Sequence, residues 1–262
     1  MTNSPTWVNS SLHAEEALHE ILKYPVCGFD TEFYGCDITT ESPVGRTTCH
    51  VFSVASPSGA LLPRGYHDAS SWVFSGHLLT HPPIKVWLED AAYVKAIHNQ
   101  PVDAHTVRNH GVRIRGGVNT LDAARFFWPS RANGRGFSLD SLGEDFCGAG
   151  KTESYTDLFG YQAAETYEVE AFKQTCSCGV LGCRKRKAER DGTEHLKGNY
   201  ESVVTTRSRK VRRLIPLTDL HEGHPLWARY MAYAAWDAVL ALWVYELMMR
   251  DNRERTYPWS LL

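Results

Sequence analysis

No run of eighteen apolar residues occurs in the 262-residue sequence, so no membrane-spanning helix is expected. The opening residues Met1-Thr2-Asn3-Ser4-Pro5 lack a basic region followed by an apolar core and do not read as a secretory signal. A disulfide framework is poorly served as well. The cysteine count is seven, an odd number; three crowd into 176–183, and Cys27, Cys36, Cys49 and Cys147 are scattered. That distribution suits a reducing compartment such as the cytoplasm, with one metal site. Strong net charge is absent too, at −2 overall, but the total conceals an asymmetry. Residues 184–213 hold eleven Lys or Arg against four acids, a segment of +7 that leaves −9 on the remainder. Such a chain can hold phosphates and cations in different places. With 43% apolar and 22% charged residues, the composition is that of a globular protein long enough for one large domain or two small ones.

What is present centres on Val26-Cys27-Gly28-Phe29-Asp30-Thr31-Glu32-Phe33, an apolar run ending in two acids. It reads as a buried strand. Strand side chains alternate with period two, so Asp30 and Glu32 point to one face. Adjacent like charges either stay solvated at a strand end or share a counter-charge, most simply a divalent cation.

Around this strand the pattern predicts an α/β order. Residues 11–24 form an amphipathic helix with Ser11 as cap and Pro25 as stop. Residues 50–56 read as a strand, 57–59 as a turn, 60–62 as the start of a further strand and 70–80 as a short helix. Residues 93–98 read as a strand leading through Asn99-Gln100-Pro101 into a helix with Asp103 in its first turn. An acid there is favoured by the helix dipole, so Asp103 has a structural reading as well as a chemical one. Helices follow over 120–128 and 138–146. Residues 149–223 lack a clear period apart from a helix near 161–173, and read as an inserted subdomain. A long helix over 226–250 carries Tyr233 and Asp237 on one face, four residues apart.

In order, then, the chain presents Phe29-Asp30-Thr31-Glu32, then Lys95-Ala96-Ile97-His98-Asn99-Gln100-Pro101-Val102-Asp103 with His110-Gly111-Val112 after it, then Tyr233-Ala234-Ala235-Trp236-Asp237. Between the last two lie Asn119-Thr120-Leu121-Asp122 and Ser138-Leu139-Asp140-Ser141-Leu142. This series resembles the DEDD superfamily of 3′–5′ exonucleases, in its tyrosine-containing branch, and most of all the proofreading exonuclease domain of family A DNA polymerases. The resemblance covers 10–148 and 224–250. In relatives an Asp usually stands where this chain has Asn119, a departure outside the four motif carboxylates.

The resemblance implies a ribonuclease H-like mixed sheet flanked by helices, with 149–223 as an inserted subdomain. It implies two Mg²⁺ or Mn²⁺ ions held by Asp30, Glu32, Asp103 and Asp237, with Tyr233 orienting the attacking water, and single-stranded DNA or DNA 3′ ends as substrate. A separately encoded polymerase is the implied partner, an arrangement that suits a virus or phage, whose enzyme would act in the host cytoplasm. A ribonuclease D-like exoribonuclease and a non-catalytic nucleic-acid- or polymerase-binding module are the alternatives. Phe33 either stacks beside the terminal base or packs in the core. His98 and Asn99 shape the strand end without being required as ligands.

The insert carries Cys176, Cys178, Cys183 and, with eleven residues between it and Cys183, His195. Three thiolates and an imidazole can close a tetrahedral zinc shell; the other reading is three unrelated thiols in a loop. The flanking sequence is too polar to fold by burial, so a metal staple would organise it and hold Arg184, Lys185, Arg186 and Lys187 for phosphate contacts. Protein purified without chelator is therefore expected to contain about one zinc per chain by elemental analysis. Cys178→Ser should release that zinc and open 184–213 to proteolysis; a zinc-free protein with an unaltered digestion pattern leaves the cysteines as loop thiols.

Overall fold

The computed structural model describes residues 4–37, 41–151, 154–174 and 200–255. The chain divides into two units, Met1–Leu158 with Ile215–Leu262, and Phe159–Leu214. The cysteine cluster, His195 and Arg184 to Lys187 lie outside the described residues.

The larger unit is built on a six-stranded mixed sheet. Its elements run β1 (Thr6–Val8), α1 (Ser11–Ile21), β2 (Val26–Tyr34), β3 (Thr48–Leu61) and β4 (His67–Ser75), then α2 (Pro82–Glu89), β5 (Val94–Ile97), α3 (Gln100–Asn109) and β6 (Gly117–Asn119). They continue with α4 (Thr120–Phe127), α5 (Leu139–Leu142), the one-turn helix α6 (Tyr155–Phe159) and, after the second unit, the long helix α7 (Trp227–Arg255). The strand order is β1-β4-β3-β2-β5-β6. The β2–β3 and β3–β4 pairs are antiparallel; β1–β4, β2–β5 and β5–β6 are parallel.

Helices cover both faces of this sheet. On one face Ala14, Leu18 and Ile21 of α1 and Ile84 and Leu88 of α2 pack with Phe29, Phe52 and Phe74. On the other, Ala238, Leu242, Trp243 and Leu247 of α7 pack with Ala124, Phe127 and Leu142. From Ala234 to Met248 nearly every residue of α7 is buried, which accounts for its apolar character all round. Two devices bring α7 close to the sheet. Ser53 Oγ donates to the Ala234 carbonyl at 2.7 Å. Gly28 leaves room for the Ala238 carbonyl at the place where a β-carbon would stand.

Several local expectations change. The cap of α1 is Ser10, whose Oγ accepts from the His13 N–H, and Ser11 is already the first helical residue. The strand read over 50–56 runs on to Leu61, and 67–75 is its antiparallel partner rather than part of a helix; only Gly76–Thr80 forms a 3₁₀ turn. Buried Ala69, Ser71, Val73 and Phe74 show why: pairing with β3 decided the segment, not local periodicity. The helix Pro82–Glu89 stands where Pro82-Pro83 is expected only as a stop; a proline at the first helical position costs no hydrogen bond. The 138–146 helix is α-helical only through Leu142 and becomes a π-turn over Gly143–Cys147.

The second unit is a two-stranded antiparallel ribbon, β7 (Gly160–Gln174) and β8 (Tyr200–Leu214), in unbroken register from Gly160↔Leu214 to Gln174↔Tyr200. The helix expected near 161–173 is thus a strand. Its alanines and glutamates favour helix, but a remote segment rich in Val and Thr offers a continuous ladder, and pairing outweighs a weak local preference. Within the ribbon Glu165 receives Arg209 at 2.8 Å and Arg213 at 3.6 Å, so part of the basic stretch is neutralised in place.

The close approach of α7 to β2 is testable. Gly28→Ala forces the Ala238 backbone away and should cost about 1–3 kcal/mol, several degrees in Tm by thermal unfolding. An unchanged Tm would contradict this packing.

Candidate active site

Strand β2 ends at the site, and its alternation sorts the acids. Gly28, Asp30 and Glu32 face α7; Phe29 and Thr31 face α1 and α3. Opposite Glu32 stands Val51, but Phe33 pairs with Cys49, so a bulge leaves His50 unmatched. The bulge turns His50 toward α7, where its Nδ1 lies 2.9 Å from Tyr230 Oη.

Helix α7 supplies the third acid. Its packing over Gly28 sets Asp237 beside the end of β2, so that one ligand atom each from Asp30, Glu32 and Asp237 lies within 4.8 Å of the others. Asp237 Oδ1 is buried and has no hydrogen-bond partner among the described residues. An orphaned carboxylate oxygen in a cluster of hard oxygen donors fits a divalent cation of the Mg²⁺ or Mn²⁺ type.

Asp103 is held differently and stands outside that trio. Strand β5 pairs with β2 only from Val26 to Gly28, which leaves the later N–H groups on that edge without a ladder partner. The chain turns at Asn99, in a left-handed conformation with φ of 60°, and enters α3. Asp103 in the first turn then closes the open edge. Its Oδ1 accepts from the Thr31 backbone N–H at 2.9 Å and from Thr31 Oγ1 at 2.7 Å.

Burial and mutual repulsion act together on the four acids. Burial is the leading cause in each case, and like charges add to it. The carboxyl of Asp30 is held well above its usual range, with Asp103, Asp237 and Glu32 as neighbours. Glu32 is pushed up to about 8 and Asp103 to about 7, the latter against the two Thr31 hydrogen bonds that favour its ionised form. Asp237 is also raised by burial, and Lys151 opposes the rise.

Lys151 is the residue that sequence reasoning missed. Its Nζ lies 2.7 Å from Asp237 Oδ2 and 3.3 Å from Tyr233 Oη. Burial and the charge of Glu32 push the Tyr233 phenol up from its ordinary value, so it keeps its proton at neutral pH. Tyr155 of α6 packs edge-on against Tyr233, with ring centroids 5.6 Å apart. Neither Lys151 nor Tyr155 belongs to a motif with distinctive spacing, and only their place in the fold reveals them.

The remaining motif residues support this frame. His98 is held below its usual pKa, to about 4, by burial, and its Nδ1 lies 3.0 Å from Thr120 Oγ1. Asn119 Oδ1 accepts from Asn99, Gln100 and Leu121 backbone N–H groups, while its Nδ2 donates to Asp122 at 2.6 Å. The Asn at this place therefore caps α4 and ties it to α3. Lys95 is fully buried and donates to the carbonyls of Asp90 and Arg115, at 2.6 and 3.1 Å. Phe33 is half-buried at the bulge.

A family model described as 3′–5′ exonuclease, of the DNA polymerase A type, matches residues 5–172. DNA polymerase I A, chloroplastic/mitochondrial, from Arabidopsis thaliana is 27% identical over 229 residues, which is 84% of this chain and 18% of that protein. The chain thus spans about a fifth of the length of that curated relative. The catalytic core of RRP6 from Trypanosoma brucei is similar in structure with a TM-score of 0.54 at 11% identity, over 98% of this chain and 51% of that one. NrnC of Brucella melitensis with bound Mg²⁺ gives a TM-score of 0.51 at 11% identity, over 98% of this chain and 84% of that one. These structural likenesses show the fold, a ribonuclease H-like mixed sheet flanked by helices.

The raised carboxyls set a pH dependence. Unfolded Asp and Glu titrate near pH 4, but Glu32 and Asp103 in the fold titrate near 8 and 7. Between those limits the native state binds more protons, so stability is greatest at the acid end and falls as pH rises. In chelator, the Tm contribution of these acids should decline from about pH 5 to pH 8, and Glu32→Gln should flatten the decline. At pH 8, Mg²⁺ at a hundred times its dissociation constant should restore about 2.7 kcal/mol, roughly 5–10 °C. A Tm at pH 8 that ignores both Mg²⁺ and chelator would contradict a cation site at these acids.

Proposed function

This chain belongs to the 3′–5′ exonuclease family of the DNA polymerase A type, and from that premise we propose that it removes nucleotides from the 3′ ends of DNA. The observation that carries the reading is the convergence of Asp30, Glu32 and Asp237 from β2 and α7, with an unpartnered Asp237 oxygen among them. Hard carboxylate oxygens suit two Mg²⁺ or Mn²⁺ ions, held by Asp30, Glu32 and Asp237 with Asp103 as the fourth ligand. When bound, such ions neutralise phosphate charge and make water a nucleophile near neutral pH.

The chain's own groups do the rest. Thr31 fixes the Asp103 carboxylate against the open edge of β2. Tyr233 keeps its phenolic proton and so orients the attacking water by hydrogen bonding, since it cannot act as a base. Buried His98 is neutral and is assigned to shaping the strand end, not to proton transfer. Phe33, half-buried at the bulge after Glu32, is assigned to contact with the terminal base.

In the Arabidopsis relative the matching region is a small part of a polymerase. We read the present chain as a proofreading exonuclease that serves a polymerase on another chain. Its insert, with zinc held by Cys176, Cys178, Cys183 and His195 and with Arg184 to Lys187 beside it, is assigned to gripping the strand backbone.

A gel assay on 5′-labelled single-stranded DNA and RNA, with and without Mg²⁺ or Mn²⁺, tests the reading. DNA should shorten from its 3′ end only with metal. Asp30→Ala or Asp237→Ala should abolish cleavage, and Tyr233→Phe should slow it by roughly tenfold to a thousandfold, ~1.4–4 kcal/mol. Preference for RNA would replace the DNA assignment by a ribonuclease, and undiminished cleavage in excess chelator would overturn the metal mechanism.

A further inference from the structure

Lys151 is clamped at its root and charged at its tip. Its backbone N–H donates to Asp140 Oδ1, and the carbonyl of Gly150 accepts from Trp236 Nε1 at 3.2 Å, so the chain here is fastened to both α5 and α7. The side chain is only 22% exposed. Its Nζ bonds Asp237 Oδ2 at 2.7 Å and stands 4.7 Å from the centre of the Tyr233 ring. Among the described residues, Lys151 is the cation that counters the charge of Asp30, Glu32 and Asp237 together.

A surface ion pair needs no purpose, but this one occupies the carboxylate that also offers its other oxygen, unpartnered, to the acidic trio. An ammonium group and a divalent cation on one carboxylate repel each other, and in a site of low dielectric that repulsion is strong. Tyr233 offers the ammonium a second berth. Its hydroxyl is already within 3.3 Å and its ring face is under the Nζ, so the charge can leave Asp237 without becoming unpaired. The flexible four-carbon stem of lysine permits such a swing where a planar guanidinium would be less free.

We propose that Lys151 is a built-in counter-ion that holds the metal-free acidic cluster together and yields Asp237 to the incoming divalent ion, so that metal loading is an exchange of one cation for another. The proposal rests on the reading of Asp237 as a metal ligand. Its consequence is that the chain moderates its own metal affinity: the cluster folds without metal, at the expense of weaker loading.

Calorimetric titration with Mg²⁺ at pH 9, above the values of about 8 and 7 to which Glu32 and Asp103 are pushed, tests this on the full chain. Lys151→Met removes the charge with little change of volume and should tighten Mg²⁺ binding by about tenfold to a hundredfold, as expected when one charged hydrogen bond of the competing state is lost. Lys151→Arg keeps the charge and should show no tightening. In chelator, Lys151→Met should lower the Tm, and this loss should largely vanish in an Asp237→Asn background, because the pair is then already broken. If Lys151→Met does not fold, Lys151→Gln carries the same titration. Mg²⁺ affinity that is unchanged or weakened without the lysine charge, while Asp237→Asn abolishes binding, overturns the counter-ion and leaves the metal site standing. Mg²⁺ binding that survives Asp237→Asn undiminished overturns the ligand assignment beneath it.

Discussion

Like charge held out of water is the condition around which this molecule is arranged. Asp30, Glu32 and Asp237 reach within 4.8 Å of one another at the end of a buried strand, and Asp103 adds its field from the adjoining edge. Neither burial nor mutual repulsion favours four ionised carboxylates. The fold must therefore enforce their approach with interactions that do not depend on the acids. It does so through the seating of α7 on Gly28 and through the Ser53 hydrogen bond to Ala234, both on the sheet side of the helix that carries Asp237.

The opposing charge then comes from two kinds of source. Lys151 is internal and singly charged, and its contact with Asp237 Oδ2 leaves Oδ1 unpartnered among the described residues. An external divalent ion would bring more charge and accept several oxygens at once. A lysine that partly neutralises the site lessens the repulsion among these acids when no metal is bound, as protonation of the raised carboxyls does. The raised carboxyls and the tethered ammonium are thus two expressions of a single electrostatic balance.

The scaffold also shows how one strand can serve two neighbours. Even-numbered positions of β2 face α7 and supply Asp30 and Glu32, while Thr31, between them, reaches Asp103 of α3. The early end of β5 makes this possible, because a longer strand would cover the Thr31 N–H and leave no opening for a side-chain acceptor. The bulge after Glu32 ends the regular pleat where the site begins and turns His50 to Tyr230.

Much of this arrangement is legible in the order of the residues. Period two places Asp30 and Glu32 on one face, period 3.6 places Tyr233 and Asp237 on another, and Pro101 with Asp103 marks the start of a helix. These are local rules, set by backbone geometry within a few residues, and the motifs obey them. The courses of 67–75 and 160–174 and the place of Lys151 are not legible in the same way. The first two became strands because distant segments offered them ladders, β3 for one and β8 for the other. Lys151 gained its role because Asp140 and Trp236 fasten its root beside α7. The sequence by itself determined which acids face together along each element and which chemistry they suit. Only the tertiary structure decided which strand pairs with which, that Asp103 stands apart under the hold of Thr31, and which cation faces Asp237, because those depend on contacts between residues far apart in the chain.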